Sequence, residues 1–169
     1  MNVQIRHATA ADAAALQALH SASWRASYAP FVPAAALGAP LDAHMRTRWD
    51  PWPVDRLILM AEDAGVPVGF GAVVRGDAPL LDNLHVSPEA RSGGVGGALF
   101  RALCAALAQE GAATLRLMVI AANPDARRFY RRLGGVEGPA QDEMLLGHSV
   151  AMVPVHFPNA VFRALAQEL

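Results

Sequence analysis

Backbone N–H groups can close around a phosphate only where no Cβ stands in the way. One stretch of this chain is built for that, Arg91-Ser92-Gly93-Gly94-Val95-Gly96-Gly97. A run of strand formers, Leu80 to Val86, leads into it, and behind it Val95, Leu99, Ala102, Leu103, Ala106 and Leu107 share one helical stripe. Strand, glycine-rich turn and helix in that order aim the positive end of a helix dipole at a diphosphate. Spacing separates the phosphate-binding patterns that could apply. A P-loop needs a lysine, and all 14 of the Lys and Arg residues here are arginine. A dinucleotide fingerprint starting at Gly94 and Gly96 puts Leu99 where a glycine or alanine belongs, which disfavours an NAD or flavin oxidoreductase. What remains is Arg-x-x-Gly-x-Gly, from Arg91 to Gly96, against the plain alternative of a glycine connector that binds nothing.

Groups able to move a proton cluster around that turn. Asp82 lies four residues before Val86, so strand alternation puts the two on one face, with His85 on the other and Glu89 past the strand. Further on, Asn123 followed by Pro124 reads as a capped helix start, and Tyr130 lies on the stripe of Ala126, Phe129 and Leu133. An aromatic at that spacing serves either as a proton donor or as core. Arg127, Arg128, Arg131 and Arg132 give the same helix a basic side. The remaining histidines, His7, His20, His44, His148 and His156, show no ligand spacing, so no metal is expected.

The elements that must position these residues fit one α/β domain over residues 1–169. Val3 to Arg6 alternates as a strand, and Thr9 with Asp12 forms a capping box opening a helix to about Ser23. Trp24, Tyr28, Phe31, Trp49 and Trp52 fall among five prolines between positions 24 and 53, which suggests short helices and loops with exposed rings. Leu57–Ala61, Val66–Val74 and Leu80–Val86 then read as consecutive antiparallel strands joined at Ala64-Gly65 and Gly76-Asp77. Thr114–Ile120 is a further strand, Pro124 to Leu133 a helix ending at Gly134-Gly135, Met144–Phe157 one or two strands, and Asn159–Leu169 a last helix. A net charge of −1 gives no field for a phosphate polymer or an anionic bilayer, so neither nucleic acid nor membrane is expected as a partner. One cysteine, Cys104, and no secretory pattern point to the cytoplasm.

The two motifs together resemble the GCN5-related N-acetyltransferase family. Its acetyl-CoA signature Q/R-x-x-G-x-G/A matches Arg91 to Gly96, and its second signature, N-x-x-A-x-x-F-Y-x-x-x-G, matches Asn123 to Gly134. Gly135 departs from the aromatic residue often found there. The resemblance covers nearly the whole chain. It implies a mixed, mostly antiparallel sheet of about six to seven strands with a splayed parallel pair and helices on both faces. It further implies acetyl transfer from acetyl-CoA to a primary amine of a small molecule or peptide, by direct attack in a ternary complex. On that pattern coenzyme A would meet Leu84, His85, Val86, Arg91, Ser92, Gly93, Gly94, Val95, Gly96, Gly97, Asn123, Ala126, Phe129, Tyr130 and Arg132. Tyr130 would be the general acid, Asp82 the base acting through water, and Asn123 a further catalytic group. Trp24, Tyr28, Asp82 and Asn83 would face the acceptor. The sparse acidic residues nearby disfavour polyamines. A non-catalytic acyl-CoA sensor of the same fold is the alternative, and a homodimer through the C-terminal strand and helix stays open.

Overall fold

The structure is a computed structural model, and it describes residues 2–168. Eight strands form one sheet in the order β1-β2-β3-β4-β5-β8-β6, with β7 hydrogen-bonded to the free part of β8. The strands are β1 (Val3–His7), β2 (Arg56–Asp63), β3 (Val66–Val74), β4 (Leu80–Val86), β5 (Leu115–Ile120), β6 (Val136–Glu137), β7 (Gln141–Leu145) and β8 (His148–Phe157). Eight strands exceed the six to seven expected. The surplus comes from β6, too short to carry an alternation signal, and from β7, whose four outermost residues are exposed and mostly polar. All neighbours are antiparallel except β4 and β5.

Helices cover both faces. The apolar run of β2 is buried on both sides: Leu57, Leu59 and Ala61 join the core under α3 (Val95–Gln109) and α5 (Asn159–Gln167), while Ile58 and Met60 pack against Leu16 and Trp49. Those two residues belong to α1 (Ala13–Tyr28) and α2 (Ala39–Trp49). The Thr9–Asp12 box is present, with the Thr9 N–H donating to Asp12 (2.8 Å), but it opens a 3-10 turn that runs on into α1 five residues past Ser23.

The segment rich in prolines and aromatics differs from expectation. It contains a full helix, α2, started by Pro40 and carrying Leu41, Met45 and Trp49 at four-residue intervals toward the core. Trp24 and Trp49 are accordingly 7% and 2% exposed, where exposed rings were expected. The last helix of the site, α4 (Pro124–Arg132), is capped by Asn123, whose Oδ1 accepts from the Ala126 N–H at 3.1 Å.

Gly135 has a steric reason for lacking a side chain. A Cβ there would stand 2.7 Å from Val155 Cγ1, 3.0 Å from the Phe157 ring and 3.0 Å from the Tyr130 carbonyl. Phe157, fully buried, fills the space.

Candidate active site

The parallel contact between β4 and β5 covers only Leu80 with Arg116 and Leu81 with Leu117. Beyond it the strands separate and a cleft of about 800 Å³ opens between them. The Ser87 N–H donates to Val68 O on β3 (2.8 Å), so alternation turns the N–H and C=O of Val86, and of Leu84 before it, away from β3 and into the gap. A sheet edge left unpaired inside a protein is a place for an extended ligand to add as a strand.

The turn after β4 supplies the anion end. Gly94 takes a left-handed φ of +78° and leads directly into α3. The first helical bond runs from Ala98 N–H to Gly94 O (3.0 Å), leaving the N–H groups of Val95, Gly96 and Gly97 without partners in the helix. The nest is narrower than the sequence suggests. The Arg91 N–H is bonded to Ser87 O (3.1 Å) and the Gly93 N–H to Ala90 O (3.4 Å), so the available donors are those of Ser92 and Gly94 to Gly97. Arg91 contributes instead through its side chain, with Nε donating to Val86 O (3.2 Å) and Nη2 to Ser27 Oγ (3.0 Å). Every residue expected to meet coenzyme A except Gly93 lines the cleft.

Across the gap stand Asn123, the cap of α4, and Phe129, Tyr130 and Arg132 of α4 itself. Gly96 faces the Phe129 ring, at 3.6 Å from where its Cβ would lie. Tyr130 combines both readings of its position: its ring packs against the main core, and the residue lines the cleft. Burial, with a smaller contribution from Tyr28, holds its phenol well above the usual tyrosine range, so it keeps its proton at neutral pH. Burial likewise pushes Tyr28 up to about 12. Of the four helix arginines only Arg132 reaches the cleft, whereas Arg127 is tied to Glu137 (2.8 Å) and Arg128 to Asp125 (3.4 Å).

The strand-face argument for Asp82 does not survive. β3 and β4 change register between Ala72–Asn83 and Val73–Leu81, so Asp82 is the extra residue of a bulge. The bulge moves it to the α1/α2 face, together with Asn83 and His85 and away from Leu84 and Val86, which pack on the α3 side. There its Oδ2 is shared by Arg48 of α2 and Arg56 of β2. A carboxylate held by two guanidiniums is anchored in one place.

His85 is bonded through Nδ1 to Ser23 Oγ (2.8 Å), and burial lowers its pKa to about 3, so it too is a weak base. Behind them His20 is fully buried, and burial holds it neutral. The Asn83 amide, oriented with Nδ2 toward His20 Nε2 (2.8 Å), accepts from Arg48 Nη2 (2.6 Å). Trp24, expected at the acceptor, is a core residue packed with Leu37, Leu41 and Met45 and does not reach the cleft. Sequence reasoning missed Ser23, Ser27 and Arg48. The spacing Leu16, His20, Ser23, Ser27 along α1 is the signal that could have found the first two.

Known proteins share this fold. A family model described as the acetyltransferase (GNAT) family matches residues 16–135. No curated protein matches the sequence. Among solved structures, PaiA N-acetyltransferase of Thermoplasma acidophilum, in complex with coenzyme A, is similar at a TM-score of 0.73 and 19% identity over 93% of this chain and 100% of the other. A GCN5-related N-acetyltransferase of Rhodopseudomonas palustris gives 0.75 and 24% over 94% and 96%. The ribosomal-protein-S18-alanine N-acetyltransferase of Escherichia coli gives 0.71 and 23% over 93% and 94%. With the splayed β4/β5 pair and the glycine turn in place, the match over most of its length means that this chain belongs to the acetyltransferase (GNAT) family.

Proposed function

We propose that the chain transfers the acetyl group of acetyl-CoA to a primary amine of a small molecule or peptide, by direct attack in a ternary complex. The observation that carries this reading is the early end of the β4/β5 pairing. It leaves the Val86 N–H, the start of α3 and Tyr130 around one cleft. The coenzyme A in the Thermoplasma relative, whose fold this chain shares, supports the same cosubstrate.

When bound, acetyl-CoA supplies an activated acyl group as a thioester. The free donors of Ser92 and Gly94 to Gly97, at the positive end of α3, hold the diphosphate, with Arg132 beside them. Leu84 and Val86 pair with the pantetheine arm through the main chain, and Val86 N–H polarises the thioester oxygen. Asn123 reaches the arm with the amide nitrogen that its capping role leaves over. The amine nitrogen forms its bond to the carbonyl carbon as the carbon–sulfur bond breaks. Tyr130, kept protonated by burial, gives its proton to the departing sulfur and regains one from water in the cleft, which receives the proton shed by the amine. Asp82 with Asn83 and Tyr28 orients the acceptor as a fixed anion and its neighbours. The proton that the amine sheds passes to water in the open cleft, since Asp82 is tied to two guanidiniums and burial lowers the His85 pKa to about 3.

A mass-spectrometric screen of an amine pool incubated with acetyl-CoA tests this, with calorimetric binding of acetyl-CoA alongside. Acetylated product and stoichiometric CoA release are expected. Tight binding without release across the pool would replace the enzyme with a sensor.

A further inference from the structure

Arg48 and Arg56 outnumber the carboxylate they share. Both are paired with the same oxygen, Asp82 Oδ2. Their side chains are only 16% and 19% exposed, so water and salt screen them weakly. Arg48 is further fixed by the Asn83 amide (2.6 Å), and Arg56 Nε is buried without a hydrogen-bond partner. The one other acid near them, Asp55, stands 3.5 Å from Arg56 with its side chain 64% exposed. Among the described residues lining the cleft the only other acid is Asp125, on α4 at the cofactor end and 86% exposed. Arg91 adds a third cation on the facing side, bonded to neutral groups only. The rest of the acceptor end is uncharged: Ser23, Ser27, Tyr28, Phe31, Ile120 and Met152.

We propose that Arg48, with Arg56, sets acceptor specificity by leaving an excess positive charge behind Asp82. The site then takes a monoamine with a neutral or anionic body and rejects a second cation. The proposal rests on the acetyl-transfer reading above. Asp82 Oδ1, which neither arginine takes, remains able to accept a hydrogen bond from the reacting amine, while a distal ammonium meets the surplus positive field of Arg48, Arg56 and Arg91 over Asp82 and Asp55, with Arg91 in the cleft lining and the other two behind it. A distal carboxylate meets attraction in the same place. At separations near 8 Å and an effective dielectric near 20, one unit charge is worth about tenfold or more in rate.

The test compares hexylamine, hexamethylenediamine and aminocaproate, which share one alkyl chain and differ in the far group, by kcat/KM with acetyl-CoA. Aminocaproate and hexylamine should exceed the diamine by about tenfold or more at low salt. Arg48→Met should raise the diamine and lower aminocaproate, and Arg56→Met, reaching Asp82 from the sheet, should do the same. Damage to folding would lower all three together, and melting temperatures report it separately. A wild-type preference for the diamine, ratios unmoved in both folded variants, or no turnover of any of the three in a protein that acetylates other amines overturns the proposal. No acetyl-CoA binding by calorimetry overturns the acetyl-transfer reading instead.

Discussion

Ser23 Oγ and His85 Nδ1 lie 2.8 Å apart beneath the cleft, tying α1 to β4 one residue before Val86. His85 and the fully buried His20 are both held neutral by burial. Unfolding exposes both to water, where a histidine titrates near 6.5. The unfolded chain therefore binds more protons below that value. Stability is complete above pH about 6.5 and falls as the pH drops toward about 3, where His85 titrates in the folded chain. Urea unfolding at a series of pH values should show a loss of up to about 1.4 kcal/mol per pH unit for each histidine. A flat profile between pH 7.5 and 5 would contradict it.

Asp82→Asn separates an anchoring role from a proton-accepting one. Because Arg48 and Arg56 hold the carboxylate, the substitution should raise KM for the acceptor by about tenfold, consistent with losing a charge-assisted hydrogen bond. The shape of the pH–rate profile should stay as it is in the wild type. Loss of an acid limb in the variant would return Asp82 to the role of base.

Tyr130→Phe removes the only hydroxyl on α4 and leaves the ring packed against Phe100 and Phe129. The expected result is a kcat lowered by about 100-fold, in the range for loss of a general acid, with acetyl-CoA affinity little changed. An acceptor whose amide formation is equally fast in both forms would rule out proton donation by Tyr130.

Gly135→Ala places a methyl group against the Tyr130 carbonyl and the Val155 and Phe157 side chains, all within 3.0 Å. Overpacking of this kind costs about 1–3 kcal/mol. Differential scanning calorimetry should show a lower Tm, and an unchanged Tm would mean that β8 yields more easily than its packing indicates.

Local signals carried far in this chain. The Arg91–Gly97 turn and the Asn123 cap are written in residue types whose conformations are restricted, so their elements were legible without tertiary information. The Asp82 bulge was not, because a register shift between β3 and β4 leaves no mark in the alternation of one strand. That shift decides which face Asp82 occupies and hence its partners. Arg48 was missed for a related reason: its meeting with Asp82 joins residues far apart in the chain, and α2 was obscured by prolines that here start and end a helix. Trp24 illustrates the reverse error. A tryptophan amid polar and proline-rich neighbours reads as exposed, but the β7/β8 hairpin folds Leu145, Leu146 and Val150 over its cluster.

A crystal structure of the chain with coenzyme A addresses the account at its centre. The diphosphate is expected within hydrogen-bonding distance of the N–H groups of Gly94 to Gly97, with the pantetheine arm between β4 and β5 and its sulfur beside Tyr130. A cofactor bound elsewhere, or one that leaves those N–H groups facing water, would contradict it.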